Sequence, residues 1–198
     1  MRVALVDGLI RELQRLPGVG PKSARRMTYH LLVHDRDGAK QLAQLMRQAA
    51  EEVGHCQLCR NLTEQPLCDI CSSGKRNPAQ LCVVESAADV QAIESATDYQ
   101  GRYFVLMGHL SPLDGVGPEE LGMEQLEQRF RSGEVKELVL ATNATLEGNV
   151  TAQYIATLAE PNQINVTRIA HGVPMGGELE FVDGHTLRAA FSSRREFD

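Results

Sequence analysis

Apolar positions near the start of the chain repeat with the period of an α-helix. Two sets of apolar residues recur every three or four positions. The first set is Val6, Leu9, Ile10, Leu13 and Leu16. The second set is Leu42, Leu45, Met46, Ala49 and Val53. This spacing puts each set on one helix face. Pro17 is expected to end the first helix, a second helix is predicted from about Lys22 to His34, and a turn follows at 35–38. The chain therefore begins with helices around a short hairpin.

From Ala79 onward the pattern changes, because short β-rich runs alternate with helical stretches. Strands are predicted at residues 81–85, 103–107, 137–141 and 164–169. Helices are predicted from a capping box at Ser86 and Asp89 to about Ala96, then at 118–130 and 148–158. Strands that alternate with helices indicate a mainly parallel sheet covered on both faces. In the tail, a short strand is expected at 179–182 and a short helix at 187–191.

Between residues 54 and 78 the apolar periodicity stops and cysteines appear in two close pairs, Cys56, Cys59, Cys68 and Cys71. Two such knuckles facing each other provide four thiolates for a tetrahedral zinc ion. Because all four positions are filled by protein, the site is expected to be structural and to stabilise a segment with little apolar core. An iron-sulfur cluster or a redox dithiol are the alternatives. The fifth cysteine, Cys82, is expected to be a small buried side chain within a strand.

Composition narrows the class of protein. The chain has 198 residues, of which 42% are hydrophobic and 23% charged, which excludes a disordered or collagen-like chain. The apolar runs are far shorter than a membrane span, and charged residues interrupt the first sixteen positions before a signal sequence could form. We therefore expect no membrane anchor and a cytoplasmic, nucleoid-associated protein whose cysteines form no disulfides.

The net charge of −6 is unevenly distributed. Residues 1–50 contain nine Lys and Arg against four Asp and Glu, a net charge of +5, whereas residues 79–165 contain four against thirteen, a net charge of −9. A basic start followed by an acidic body indicates that phosphate contacts are made by the first fifty residues. The alternative is ordinary variation between solvated faces.

Glycines and cations coincide in the segment LPGVGPKSARR. Gly18 and Gly20 bring backbone N–H groups and a helix N-terminus toward solvent, a geometry that suits a phosphate. The segment resembles the helix-hairpin-helix DNA-binding motif, which implies contact with the sugar-phosphate backbone by Lys22, Arg25 and Arg26. A Gly-Pro turn between core helices with a solvated basic face is the alternative.

A carboxylate pattern in the acidic body is incomplete. Glu85 ends the first predicted strand of this region, and the segment ATNATLEG follows a later strand. The pattern resembles the Toprim fold, which implies a glutamate and an Asp-x-Asp pair that hold magnesium; here Asn143 and Thr145 occupy the two aspartate positions. Magnesium requires hard, charged oxygen ligands, so catalysis by that route is not expected. For Glu85 and Glu147, a contact with protein or DNA is the functional expectation, and a solvated or locally capped carboxylate is the alternative.

Taken together, the order of these parts resembles the RecR family of bacterial recombination mediators over essentially the full chain. The segments that carry the resemblance are LPGVGPKSARR, CQLCR with CDIC, LCVVE, MGHLSPLDGVGP, ATNATLEG and RIAHGVPMGGELEFVDGHTL. The resemblance implies a multi-domain α+β protein. Its parts are a helix-hairpin-helix head at 1–54, a four-cysteine zinc finger and linker at 55–78, an α/β Toprim domain with a mainly parallel sheet at 79–171, and a short strand/helix tail at 172–198.

The same resemblance implies a function without catalysis. Members of this family form ring-shaped homotetramers that act as a DNA clamp, and with RecO and RecF they help load RecA onto SSB-coated single-stranded DNA at gaps. Carried over, this makes Lys22 and Arg26 DNA contacts, the four paired cysteines ligands of one zinc ion, and Glu147 with its neighbours a surface for RecO. It also makes 179–183 a Walker-B-like segment, but no P-loop occurs in the chain and ATP hydrolysis is not expected. A Toprim nuclease or primase accessory using Glu85 and Glu147, or an adaptor that binds only proteins, are the alternatives.

Overall fold

The computed structural model describes residues 3–170 and 172–194. The predicted domain ends at residues 1, 171 and 198 lie outside these ranges. The chain divides between Val53 and Gly54 into two compact units, a small helical one and a larger mixed one.

The first unit consists of three helices, α1 (Ala4–Leu13), α2 (Pro21–Val33) and α3 (Arg36–Glu52). Helix α2 packs against both of the others and buries Ala24 and Thr28. Two predictions were wrong. Helix α1 ends at Leu13, before Pro17, and the turn expected at 35–38 is instead the start of α3, because the Asp35 carboxylate accepts a hydrogen bond from the Gly38 N–H at 2.9 Å and caps that helix.

The second unit begins with a small insert that carries the paired cysteines. Strand β1 (Gly54–His55) pairs antiparallel with β2 (Leu62–Thr63), and the four-residue helix α4 (Asp69–Ser72) follows. The buried cluster of this insert consists of the four cysteines, with Leu67 and Ile70 packed against them. The insert therefore depends on its cysteines where a larger domain would depend on apolar side chains.

A four-stranded parallel sheet forms the body of the second unit. Its strands are β3 (Asn77–Val84), β4 (Gly101–Val105), β5 (Glu137–Ala141) and β6 (Asn165–Arg168), in the order β4-β3-β5-β6. Val84 at the end of β3 is paired with Val105 on one side and Ala141 on the other. The carboxyl ends of three strands therefore meet at one edge, and the predicted parallel sheet is confirmed.

Helices cover both faces of this sheet. Alternate residues of β3 point to opposite sides, so Leu81 and Val83 pack into one core, whereas Cys82 and Val84 pack into the other. The first core includes residues of α6 (Met123–Arg131) and α7 (Leu146–Ala159), and the second includes Val90 of α5 (Ala87–Ala96). The capping box predicted at Ser86 and Asp89 is present, and Cys82 is buried as expected.

Two elements differ from their predictions. The helix expected at 118–130 begins only at Met123, because Gly122 adopts a left-handed conformation with φ of +68°. The strand expected at 179–182 is a short 3-10 helix, Leu179–Phe181, followed by α8 (Gly184–Ser192). The Asp183 carboxylate caps α8 by accepting hydrogen bonds from the backbone N–H groups of His185 and Thr186. A hydrogen bond from the Thr186 side chain, together with that from its backbone N–H, lowers the pKa of Asp183. No helix in the described ranges is long and apolar enough to span a bilayer.

Candidate functional site

The four paired cysteines are brought together by two tight turns. Cys56 and Cys59 lie in the loop between β1 and β2, where the Arg60 N–H donates to the Cys56 carbonyl at 2.8 Å. Cys68 is the residue before α4 and Cys71 lies within that helix. Each turn thus directs two sulfur atoms to the same side, as the sequence spacing predicts.

The geometry of the cluster fits a tetrahedral metal ion. The four sulfur atoms all lie within 4.8 Å of one another, and the sulfurs of Cys59 and Cys68 are 3.5 Å apart. Zinc bonds to sulfur of about 2.3 Å place tetrahedral ligands roughly 3.8 Å apart, which is close to this spacing. All four side chains are nearly inaccessible to solvent. The cluster therefore has the ligand number, spacing and burial of a closed structural zinc site.

Hydrogen bonds favour the thiolate form of Cys71, whereas burial raises the pKa of Cys68. The hydrogen bond with Cys59 lowers the pKa of Cys71 to about 6, helped by further bonds to Cys56 and Cys68 and by the positive charge of Arg129. The same hydrogen bond raises the pKa of Cys59. Arg129 is held beside the cluster because its guanidinium donates to the carbonyls of Leu58 and Tyr103. Its charge stabilises thiolates, the form that binds a metal.

Hydrogen bonds join the cysteine insert to the sheet and to the loop before α6. The insert accepts one of them and donates the other. The Val105 N–H, at the end of β4, donates to the Cys59 carbonyl at 2.8 Å, and the Arg60 guanidinium donates to the Glu120 carbonyl at 2.8 Å. The space next to the Arg60 side chain is open only because residue 122 is glycine, since a Cβ there would overlap the guanidinium. The insert is therefore held directly against the loop before α6.

Glu85 and Asn143 meet at the carboxyl edge of the sheet. Glu85 follows β3 and is only 5% exposed. Its carboxylate accepts hydrogen bonds from both the backbone N–H and the side-chain amide of Asn143, each at 2.7 Å, and lies 3.2 Å from Nδ1 of His109. The alternative that Glu85 is a solvated carboxylate is therefore wrong. The Asn143 amide takes the place where the Toprim pattern has a metal-binding aspartate. It donates a hydrogen bond to the Glu85 carboxylate, where an aspartate would add a second negative charge.

The other two residues of the pattern lie outside this network. The Thr145 hydroxyl accepts a hydrogen bond from the Gly148 N–H at 3.0 Å and caps α7. Glu147, in the first turn of α7, is exposed. The structure thus separates the four residues into a hydrogen-bonded pair of the buried Glu85 and the exposed Asn143, a helix cap and a surface carboxylate.

Sequence reasoning missed two residues of the Glu85 network, His109 and Gly148. A Cβ at position 148 would overlap the Asn143 carbonyl and lie 2.9 Å from Glu85 Oε1, so this glycine allows α7 to begin against the carboxylate. His109 follows β4, the strand next to β3, and its position at the same sheet edge was the available signal.

The glycine hairpin of the first unit exposes its cations. Gly18 has a φ of +76°, which favours glycine, and Gly20 precedes α2. Lys22, Arg25 and Arg26 are all exposed, and with Pro21 and Tyr29 they line a shallow hollow of about 440 Å³. Among the described residues, no carboxylate lies within ion-pair distance of these three cations. Their charge is free for an external anion.

Comparison with known proteins covers nearly the whole chain. Four family models match in order: the RecR helix-hairpin-helix at residues 6–50, the RecR four-cysteine zinc finger domain at 53–73, the Toprim domain at 79–170, and the RecR C-terminal region at 172–195. The sequence is 56% identical to "Recombination protein RecR" of Saccharophagus degradans over 192 residues, which are 97% of this chain and 98% of that protein. It is 57% identical to the protein of the same name from Halorhodospira halophila over 190 residues, 96% of this chain and 94% of the relative. On these matches the chain belongs to the RecR family.

Proposed function

We propose that this protein is a non-enzymatic mediator of recombinational DNA repair that binds the DNA backbone through its helical first unit. The observation that carries the proposal is the group of three unpaired cations, Lys22, Arg25 and Arg26, beside a glycine hairpin and a helix N-terminus. Backbone N–H groups and cations at such a site bind phosphate without recognising bases. Binding to single-stranded, gapped or duplex DNA is therefore sequence-independent.

The carboxylate site supports a role without catalysis. A Toprim enzyme needs several carboxylates to hold magnesium, whereas here Glu85 is buried and accepts its hydrogen bonds from Asn143. The amide adds no negative charge, and its N–H groups occupy the oxygens that a cation would use. Glu147 is exposed and serves instead as part of a partner surface, for which RecO is our candidate.

One zinc ion per chain completes the insert. Its role is structural, because four buried thiolates leave no open coordination position. We expect elemental analysis to give one zinc per chain. Chelation should unfold the insert and release zinc, whereas a sulfur-to-iron absorption band would contradict the assignment.

Assembly into a ring-shaped homotetramer would turn weak contacts into useful affinity. The single chain exposes large apolar side chains in its first unit and tail, among them Leu5, Val33, Leu45, Phe181 and Phe191. Such surfaces are typical of protein interfaces. A ring that carries several copies of the cationic hollow binds DNA multivalently as a clamp, and in the cytoplasm it would act with RecO and RecF to load RecA at SSB-coated gaps.

A gel with end-labelled gapped DNA tests the proposal against the alternative, a Toprim nuclease or primase accessory. The protein is incubated with the DNA with and without magnesium, beside the Lys22→Ala/Arg26→Ala variant and a matched Arg36→Ala/Lys40→Ala variant on α3. We expect a shift with intact DNA that only the first variant loses. Magnesium-dependent fragments that disappear in Glu85→Gln would establish the nuclease and overturn the proposal.

A further inference from the structure

Tyr29 lies on the same face of α2 as the three cations. It follows Arg25 by four residues, Arg26 by three and Lys22 by seven, which are the spacings that align side chains on one face of a helix. The buried side of α2 is formed by Ala24 and Thr28. Tyr29 therefore extends the cationic face by one turn, about 5.4 Å beyond the arginines.

The ring of Tyr29 is unusually accessible. It is 53% exposed, more than any of the other three tyrosines, and it lines the same hollow as Pro21, Lys22, Arg25 and Arg26. Within the described ranges, no group hydrogen-bonds to its hydroxyl and no aromatic ring stacks on it. An exposed flat ring next to unpaired cations has no evident role in stabilising the helix.

A hollow with three cations and one free aromatic face matches a particular ligand chemistry. Single-stranded nucleic acid presents phosphates and unpaired bases on the same short segment, and proteins bind it with cations for the former and aromatic rings for the latter. Duplex DNA offers the same phosphates, but its bases are paired and stacked inside. An acidic peptide would use the cations and leave the ring without a planar partner.

We propose that Tyr29 is a stacking site for an unpaired nucleobase, so that the first unit favours single-stranded segments and gap edges over duplex DNA. This inference rests on the proposed DNA contacts of Lys22 and Arg26. With a phosphate on those cations, the base of a neighbouring nucleotide stacks on the ring one helical turn away. Stacking of one base contributes roughly 5- to 150-fold in affinity.

The first test compares affinities by fluorescence anisotropy for labelled oligo(dT), gapped duplex and blunt duplex. Tyr29→Ala should weaken binding to the first two about tenfold and change binding to blunt duplex less than twofold, whereas Tyr29→Phe should bind as the wild type. Equal affinities of Tyr29→Ala and the wild type for oligo(dT) would overturn the inference. If Lys22→Ala/Arg26→Ala also left binding unchanged, the proposed DNA contacts themselves would fail.

A spectroscopic test uses the absence of tryptophan from the chain. Tyr29→Trp introduces a single indole in the hollow, and its fluorescence should be quenched by oligo(dT) and not by blunt duplex at equal saturation. Tyr154→Trp, at a position 38% exposed on α7, is the matched control and should not respond. A change in the assembly's mass by light scattering for Tyr29→Ala, without selective loss of oligo(dT) binding, would assign the ring to a subunit interface and refute the stacking site.

Discussion

Replacing Asn143 by aspartate tests whether the amide at the sheet edge is what makes a buried Glu85 stable. Asn143 Nδ2 donates to Glu85 Oε2 at 2.7 Å. Asn143→Asp would place a second carboxylate oxygen at that distance from a carboxylate that is 5% exposed. Two negative charges at this separation repel by about 6 kcal/mol if the effective dielectric constant is roughly 20.

The variant can avoid this repulsion by binding one proton between the two carboxyl groups. Protonating an aspartate with an ordinary pKa of about 4 costs roughly 4 kcal/mol at pH 7 and about 1.5 kcal/mol at pH 5. The folded variant then binds one more proton than its unfolded chain, so its stability falls as the pH rises. We therefore expect Asn143→Asp to lose about 4 kcal/mol of unfolding free energy at pH 7 and less than half of that at pH 5.

Urea unfolding followed by circular dichroism at pH 5, 6, 7 and 8 measures this difference. Asn149→Asp, an exposed position in the first turn of α7, is the matched control and should stay within about 0.5 kcal/mol of the wild type. A penalty for Asn143→Asp that is the same at pH 5 and pH 8, or no penalty at all, would refute the account of the site.

Two further predictions concern contacts that hold the second unit together. Arg76 donates a bidentate pair of hydrogen bonds to Glu94, which is the main cause that lowers the pKa of Glu94. Arg76→Met should cost about 2 kcal/mol at pH 7 in urea unfolding. The loss should shrink as the pH falls below the ordinary glutamate pKa of 4.5, because the unfolded chain takes up a proton at Glu94 first and the folded protein does so only at lower pH. A loss at pH 3 as large as at pH 7 would contradict this. Gly122→Ala should cost about 2 kcal/mol or more in thermal unfolding, because the new Cβ overlaps Arg60 at a φ of +68°. Gly133→Ala, also left-handed but with open space around it, should cost less, and equal losses would show that Arg60 is irrelevant.

Elements whose signals are local were predictable from the sequence. The cysteine spacing specifies two turns of fixed size, so the cluster at residues 56–71 follows from the chain itself. The capping box of Ser86 and Asp89 likewise depends on residues three apart. The parallel sheet followed from strands that alternate with helices, and only its strand ends moved by a few residues.

Features that depend on distant residues were not predictable in the same way. The partners of the buried Glu85 carboxylate, His109 and Asn143, lie 24 and 58 positions further along the chain. The sequence therefore did not exclude the alternative that Glu85 is solvated. The left-handed Gly122 before α6 lies against Arg60 of the cysteine insert, a contact between residues far apart in the chain. The tail residues 179–182 have the composition of a strand, but no strand in the described part of the chain pairs with them, and they form a 3-10 turn.

The dependence of DNA affinity on salt tests the central claim most directly. The affinity for gapped DNA is measured by anisotropy from low to moderate salt for the wild type and for Lys22→Ala/Arg26→Ala. If these side chains neutralise phosphates, the variant should bind more weakly at every sequence tested, and the slope of log affinity against log salt should fall by roughly 0.7 to 0.9 for each phosphate that the variant no longer neutralises. An unchanged slope and affinity would show that the cationic hollow does not hold DNA and would contradict the account.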